Sequence, residues 1–136
     1  MDESLVRAVE RRARNICEYC RIPQRFYPVP FQVDHIVAQQ HRGPTVLSNL
    51  ALACLHCNAH KGPNIAGIDP HRKRLTRLYH PRRHKWARHF GWSGALLVGR
   101  TAIGRTTIAV LSMNGPYLLQ LRQELLDEGL FPETTE

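Results

Sequence analysis

This sequence predicts an α+β fold, from three observations. Two C-x-x-C pairs, Cys17/Cys20 and Cys54/Cys57, stand far apart in the chain. Between them two short apolar runs, FQVDHIV at 31–37 and NLALAC at 49–54, read as strands. Apolar residues recur at helical spacing near both ends, over 4–15 and 116–128. A chain of 136 residues has the size of one compact domain. The expectation is therefore a single domain over 1–136, with a core at 14–63 and a basic connection and helical extension over 64–136.

Leu5, Val6, Val9 and Ala13 follow Ser4, a good N-cap, and predict a helix over 4–15 that ends at the knuckle CEYC. Prolines at 23, 28 and 30 keep the next segment extended or turning. The strand 31–37 leads into a loop, AQQHRGPTVLS, with Gly43-Pro44 as its turn. The second strand, 49–54, enters the second knuckle, and a short helix is expected from about Cys57 until Gly62-Pro63 stops it. From Asn64 to His84 there is little periodicity and much Arg and Pro, which predicts an extended basic connection. Trp86, His89 and Phe90 fall near one helical face, ALLVGRT reads as a strand, and Arg105–Met113 reads as a short helix. Pro116 opens an amphipathic packing helix that runs to Glu128, before Gly129.

The charge is uneven. Residues 61–105 hold eleven Lys and Arg against Asp69 alone, within a chain of net charge +8. Such a block suits a polyanion, because cations on phosphates release counterions and supply sequence-independent affinity. The alternative is a solvated basic face that serves solubility. The N-terminus lacks the apolar stretch of a signal peptide, and no purely aliphatic run, ALLV at 95–98 included, is longer than four residues. A cytoplasmic protein without a membrane partner is expected, and in that compartment disulfides rarely persist. Two C-x-x-C pairs then favour one Zn²⁺ held by four thiolates in a closed tetrahedron, a structural staple with no open coordination position.

The segment VDHIVAQQHRGPTVLSNLALACLHCNAHKG at 33–62 carries a second set: Asp34-His35 at a strand, Asn49 opening the next element, and Asn58 directly after Cys57 with Lys61 three residues on. This pattern of D-H, then N-L, then C-x-x-C-N resembles the HNH endonuclease family in its four-cysteine zinc form, over roughly residues 14–63. PNIAGIDP at 63–70 and GRTAIGRTT at 99–107 also look like the tails of small stand-alone bacterial members. The resemblance implies a zinc-stapled ββα-metal (His-Me finger) core, with additional helices in the C-terminal half. It implies an endonuclease acting on DNA, with His35 as general base, Asp34 and Asn58 as ligands of a catalytic divalent cation, and Asn49 bracing the loop and orienting His35.

The residue types support that reading independently. Phosphodiester hydrolysis needs a base for water, a Lewis acid and further cations. A histidine with pKa near ~6.5 can accept a proton at cellular pH. The carboxylate of Asp34 and the amide oxygen of Asn58 are hard ligands that suit Mg²⁺ or Mn²⁺ better than zinc. Many family members carry His where this chain has Asn58, so His60 is a rival. On a regular helix His60 points about 200° from Asn58, whereas Lys61 returns to within roughly 60° of it. Lys61 is then a candidate phosphate contact, and His60 packs beside the zinc knuckle or meets DNA. Arg72, Lys73, Arg74 and Arg77, with Arg82 and Arg83, form the basic run expected at phosphates. His41, Arg42 and His56 are weaker candidates, and Trp86, Phe90 and Trp92 are expected in the core of the C-terminal half. Two rival readings stay open: a zinc-scaffolded nucleic-acid-binding module without catalysis, and an RNA nuclease.

Overall fold

The computed structural model describes residues 1–132. The chain falls into two compact units, one of Met1–Ile65 with His80–Arg83 and the other of Ala66–Tyr79 with His84–Glu136.

In the first unit, helix α1 (Glu3–Ala13) is capped by Asp2, not by the expected Ser4. The Asp2 carboxylate accepts the Ser4 N–H at 2.7 Å, and a full negative charge suits the positive end of a helix better than a hydroxyl. Arg14 and Asn15, both at positive φ, end the helix and turn the chain into the first knuckle. Val9 is fully buried, and Arg12 donates to the carbonyls of Leu47 and Leu50 at 2.9 and 2.6 Å, which ties α1 to the strand that follows.

Strands β1 (Gln32–His35) and β2 (Leu50–Ala53) pair antiparallel, with Asp34 opposite Ala51 and His35 opposite Leu50. All four β2 residues are buried. Side chains alternate along β1, and the alternation turns Asp34 inward while leaving His35 half-buried. Helix α2 (Leu55–Lys61) begins two residues earlier than expected, because Cys54 serves as its N-cap and Gly62, at φ 51°, closes it. The order β1–β2–α2 is the ββα unit.

The second unit corrects two expectations. Residues 66–77, expected as an extended connection, form a hairpin of β3 (Ala66–Ile68) and β4 (Leu75–Arg77). Strands of three residues are too short to leave a readable period. A Cβ on Gly67 would lie 2.5 Å from Val110 Cγ2 and 3.1 Å from Thr106 Cγ2, so glycine is what lets this hairpin settle on α4 (Ala102–Leu111). The second correction is at 84–92. Only Trp86–His89 is helical (α3), and Phe90–Ser93 is a strand (β5) that turns at Gly94 and pairs with β6 (Leu96–Gly99). Trp86, Phe90, Trp92 and Phe131 pack together with ring centroids 5.0–5.7 Å apart, as core.

Helix α4 starts three residues before the expected Arg105, with the Thr101 hydroxyl accepting the Gly104 N–H as its cap. Helix α5 (Pro116–Asp127) follows the expected bounds closely. Its Arg122 is fully buried and donates to Ala95 O, Met113 O and Asn114 Oδ1, with its guanidinium 5.4 Å above the Trp92 ring. Among the described residues no helix is long and apolar enough to cross a membrane.

Candidate active site

Cys17, Cys20, Cys54 and Cys57 are all buried, and their sulfurs lie within 4.8 Å of one another. Cys20 Sγ is 3.7 Å from Cys54 Sγ. A tetrahedral zinc site with bonds of about 2.3 Å has sulfur–sulfur edges of about 3.8 Å, so the four are positioned to form one. The knuckle geometry contributes to charge balance as well. The N–H of Cys20 donates to Cys17 Sγ and that of Cys57 to Cys54 Sγ, at 3.5 and 3.4 Å. Burial pushes the Cys17 thiol up, but hydrogen bonds from Cys20, Cys54 and Cys57 outweigh it and hold the thiol well below its usual value.

Beside this frame lies an open polar cleft of about 390 Å³, lined by Asp34, His35 and Asn58 together with Ala38, Gln39 and Gln40. Three of the expected residues thus meet in one place, from β1 and α2. The Nδ2 of Asn58 donates to Gln32 Oε1, which leaves its carbonyl oxygen without a partner among the described residues. The Asp34 carboxylate is held at both oxygens: the Tyr19 hydroxyl donates to Oδ2 at 2.7 Å, and Lys61 Nζ donates to Oδ1 at 3.2 Å. Burial pushes the Asp34 carboxyl above the usual range, while the Lys61 ammonium and the Tyr19 hydroxyl pull it back. Burial and the neighbouring Asp34 charge hold the Tyr19 phenol well above its usual value, so it stays a donor.

His35 Nε2 lies 2.9 Å from the Thr45 hydroxyl, and Nδ1 has no partner among the described residues. Asn49 does not line the cleft. Its amide spans the loop behind His35, accepting from Val37 N at 2.9 Å and donating to Val37 O and Pro44 O at 3.0 and 2.9 Å. Asn49 therefore reaches His35 through the loop that carries Thr45, with no direct bond. The same loop requires Gly43, where a Cβ would lie 1.7 Å from Val37 O.

Other residues fall elsewhere. Lys61, expected at a phosphate, is 1% exposed, and its ammonium serves Asp34 and the His35 carbonyl, 3.0 Å away. The cause is helix rotation: the turn that brings Lys61 to the Asn58 side aims it under β1. His60 is exposed, donates Nδ1–H to His56 O at 2.8 Å, and stacks on the His56 ring with centroids 4.1 Å apart, on the knuckle side. His41 and Arg42 are exposed on the loop. Arg72, Lys73, Arg74 and Arg77 are exposed on the β3–β4 hairpin of the other unit. Arg82 departs from the basic run, being half-buried in the first unit against Glu18, whose second oxygen accepts Leu52 N–H at 2.8 Å. Burial, with the nearby Arg12 charge, lowers the Arg82 guanidinium to about 10.

Sequence reasoning missed Tyr19, Thr45 and Gln32. Tyr19 carried a faint signal, as a large polar aromatic enclosed between two metal-ligand cysteines. Thr45, in an exposed loop ten positions from His35, carried none.

No curated protein and no solved structure matches the chain at a significant level. Residues 17–64 match the family model of the HNH endonucleases. The matched segment begins at the first zinc-site cysteine and encloses the other three, both strands and the helix of the ββα unit. Residues 17–64 are thus an HNH endonuclease domain of the four-cysteine form.

Proposed function

We propose that this chain is a metal-dependent endonuclease that hydrolyses DNA phosphodiester bonds. The observation that carries the reading is the single cleft shared by Asp34, His35 and Asn58, in a domain of a nuclease family. The donors fit a hard divalent cation, one carboxylate and one free amide oxygen, and Asp34 and Asn58 would hold Mg²⁺ or Mn²⁺. When bound, that cation supplies Lewis-acid stabilisation of charge on the phosphoryl and leaving oxygens.

His35 is the base. In this reading Nε2–H donates to the Thr45 hydroxyl, 2.9 Å away, which leaves the lone pair on Nδ1 for the attacking water. Nδ1 takes the water proton as the oxygen bonds to phosphorus. The P–O3′ bond then breaks, the departing 3′ oxygen takes a proton from solvent, and a 3′ hydroxyl and a 5′ phosphate result. Asn49 holds the loop that presents Thr45, and so acts on His35 as a positioning residue. Tyr19 and Lys61 hold the Asp34 carboxylate in place and favour its charged form. DNA is preferred over RNA because resemblance to the HNH endonuclease family implies a DNA substrate.

The second reading is a zinc-scaffolded nucleic-acid-binding module without catalysis. The Lys61–Asp34 ion pair favours it, because it already neutralises the carboxylate that would attract a divalent cation. Plasmid nicking with Mg²⁺, Mn²⁺ or EDTA separates the two: cutting that requires metal and His35 supports the nuclease, and binding without cutting under every metal supports the module.

A further inference from the structure

The β3–β4 hairpin has two unlike faces. Gly67 and Thr76, paired across the strands, occupy one face, and Gly67 lies against Thr106 and Val110 of α4. The opposite face carries the pairs Ile68–Leu75 and Ala66–Arg77. Leu75 is 77% exposed and Ile68 55%, side by side at the turn end of the ribbon. The two aliphatic side chains are thus presented together to solvent, next to the turn.

The turn beside them is rigid and cationic. Asp69 and Arg74 bond across it, with Asp69 N–H on Arg74 O at 2.9 Å and Lys73 N–H on Asp69 O at 2.8 Å. The Asp69 carboxylate is fully buried, accepts the His71 N–H at 3.0 Å and takes both Nε and Nη2 of Arg105, at 3.1 and 2.9 Å. The only acid of the hairpin is thereby turned inward and neutralised from α4. His71, Arg72, Lys73, Arg74 and Arg77 are left outward, all exposed, with no acidic group among them.

We propose that this hairpin is a duplex-binding ribbon that straddles the minor groove, with Arg72, Lys73, Arg74 and Arg77 on the phosphates and the Ile68–Leu75 pair pressed as an apolar wedge against a base step. Cations flanking an aliphatic wedge match the chemistry of a duplex, whose charged backbones flank an apolar stack. The wedge opens the step and bends the DNA, and the Asp69–Arg105 pair keeps the turn from collapsing under that load. This inference rests on the nucleic-acid substrate proposed above and adds duplex form and bending to it.

The test uses the full chain carrying His35→Ala, so that the probe stays intact, and a DNA duplex of about 30 base pairs labelled at both ends. Anisotropy reads affinity and end-to-end energy transfer reads bending. The parent is expected to bind and to raise the transfer efficiency. Adding Ile68→Ser with Leu75→Ser is expected to weaken binding about tenfold or more and to abolish the bend, with the salt dependence unchanged. Adding Arg72→Ala, Lys73→Ala and Arg74→Ala is expected to lower the slope of log affinity against log salt by about 1 per side chain removed.

Ile68 and Leu75 are exposed, so the double variant should keep the parent's circular dichroism and melting temperature. Unchanged affinity and bending in the double variant would overturn the proposal. So would conversion of a dimeric parent to monomers with DNA binding intact, which would make the face a contact between copies of this chain. Nicking by the unsubstituted chain reads the nuclease proposal separately. Bending without cutting would sink that proposal and leave this one supported.

Discussion

Lys61 and Asp34, 27 positions apart, form a buried ion pair at 3.2 Å in which each side chain is at most 5% exposed. The pair is held on both sides, by the Tyr19 hydroxyl on the carboxylate and by the His35 carbonyl on the ammonium. It couples the stability of the domain to the cleft, because the same carboxylate is the proposed anchor of the catalytic cation.

Lys61→Met is therefore expected to destabilise the first unit by about 3–5 kcal/mol, since it leaves a buried carboxylate unpaired. Mn²⁺ should recover part of that loss and stabilise the variant more than it stabilises the parent. Thermal unfolding followed by far-ultraviolet circular dichroism, with and without Mn²⁺, reads both effects. Equal Mn²⁺ responses in the two proteins would count against Asp34 as a ligand.

Replacing Cys54 by Ser should unfold the first unit. Structural zinc binding supplies on the order of 10 kcal/mol, comparable to the whole stability of a small domain. Zinc content by atomic spectroscopy should fall from one ion per chain to none, with loss of ordered structure. A folded, zinc-free Cys54→Ser protein would contradict the role given to the cysteines.

Thr45→Val removes the hydroxyl that bonds His35 Nε2 while leaving the cleft residues in place. The turnover of nicking is expected to fall about tenfold or more, with the apparent KM little changed, because the wrong tautomer becomes accessible. Thr45→Ser should restore most of the rate. If Ser and Val behave alike, the hydroxyl is not what orients the base.

The second unit carries its own pH dependence. The Arg105 guanidinium holds the Asp69 carboxyl far below the usual carboxylate range. A carboxyl lowered in the folded state stabilises above its unfolded pKa of about 3.9, and that contribution is lost as pH falls through the lower folded value. Stability of this unit should thus decline progressively below about pH 4, and Arg105→Leu should flatten the decline. Both tryptophans, Trp86 and Trp92, lie in this unit, so urea titrations followed by tryptophan fluorescence at pH 5 and pH 3 report it selectively.

What the sequence revealed, and what it hid, follows from range. The cysteine pairs were legible because a C-x-x-C spacing nearly dictates its own geometry, and Asp34, His35 and Asn58 because the D-H and C-x-x-C-N motifs that hold them resemble the HNH pattern. Helix rotation placed Asn58 and Lys61 on one side correctly. It could not say that this side, at Lys61, faces inward beneath β1. The pairing of Arg82 with Glu18 was hidden for the same reason, since 64 positions separate them and only folding sets the partner. The hairpin at 66–77 escaped because its register is fixed by Gly67 against α4 and by Asp69 on Arg105, both tertiary contacts.

The central claim is tested most directly by nicking of supercoiled plasmid by the purified chain, set beside His35→Ala, in Mg²⁺, Mn²⁺ or EDTA. The expected result is metal-dependent conversion to open circles that EDTA abolishes, and a rate about 10²–10⁴-fold lower for His35→Ala at unchanged DNA affinity and zinc content. Cutting at the parental rate by His35→Ala would contradict the assignment of the base, and DNA binding without cutting in any metal would contradict the nuclease itself.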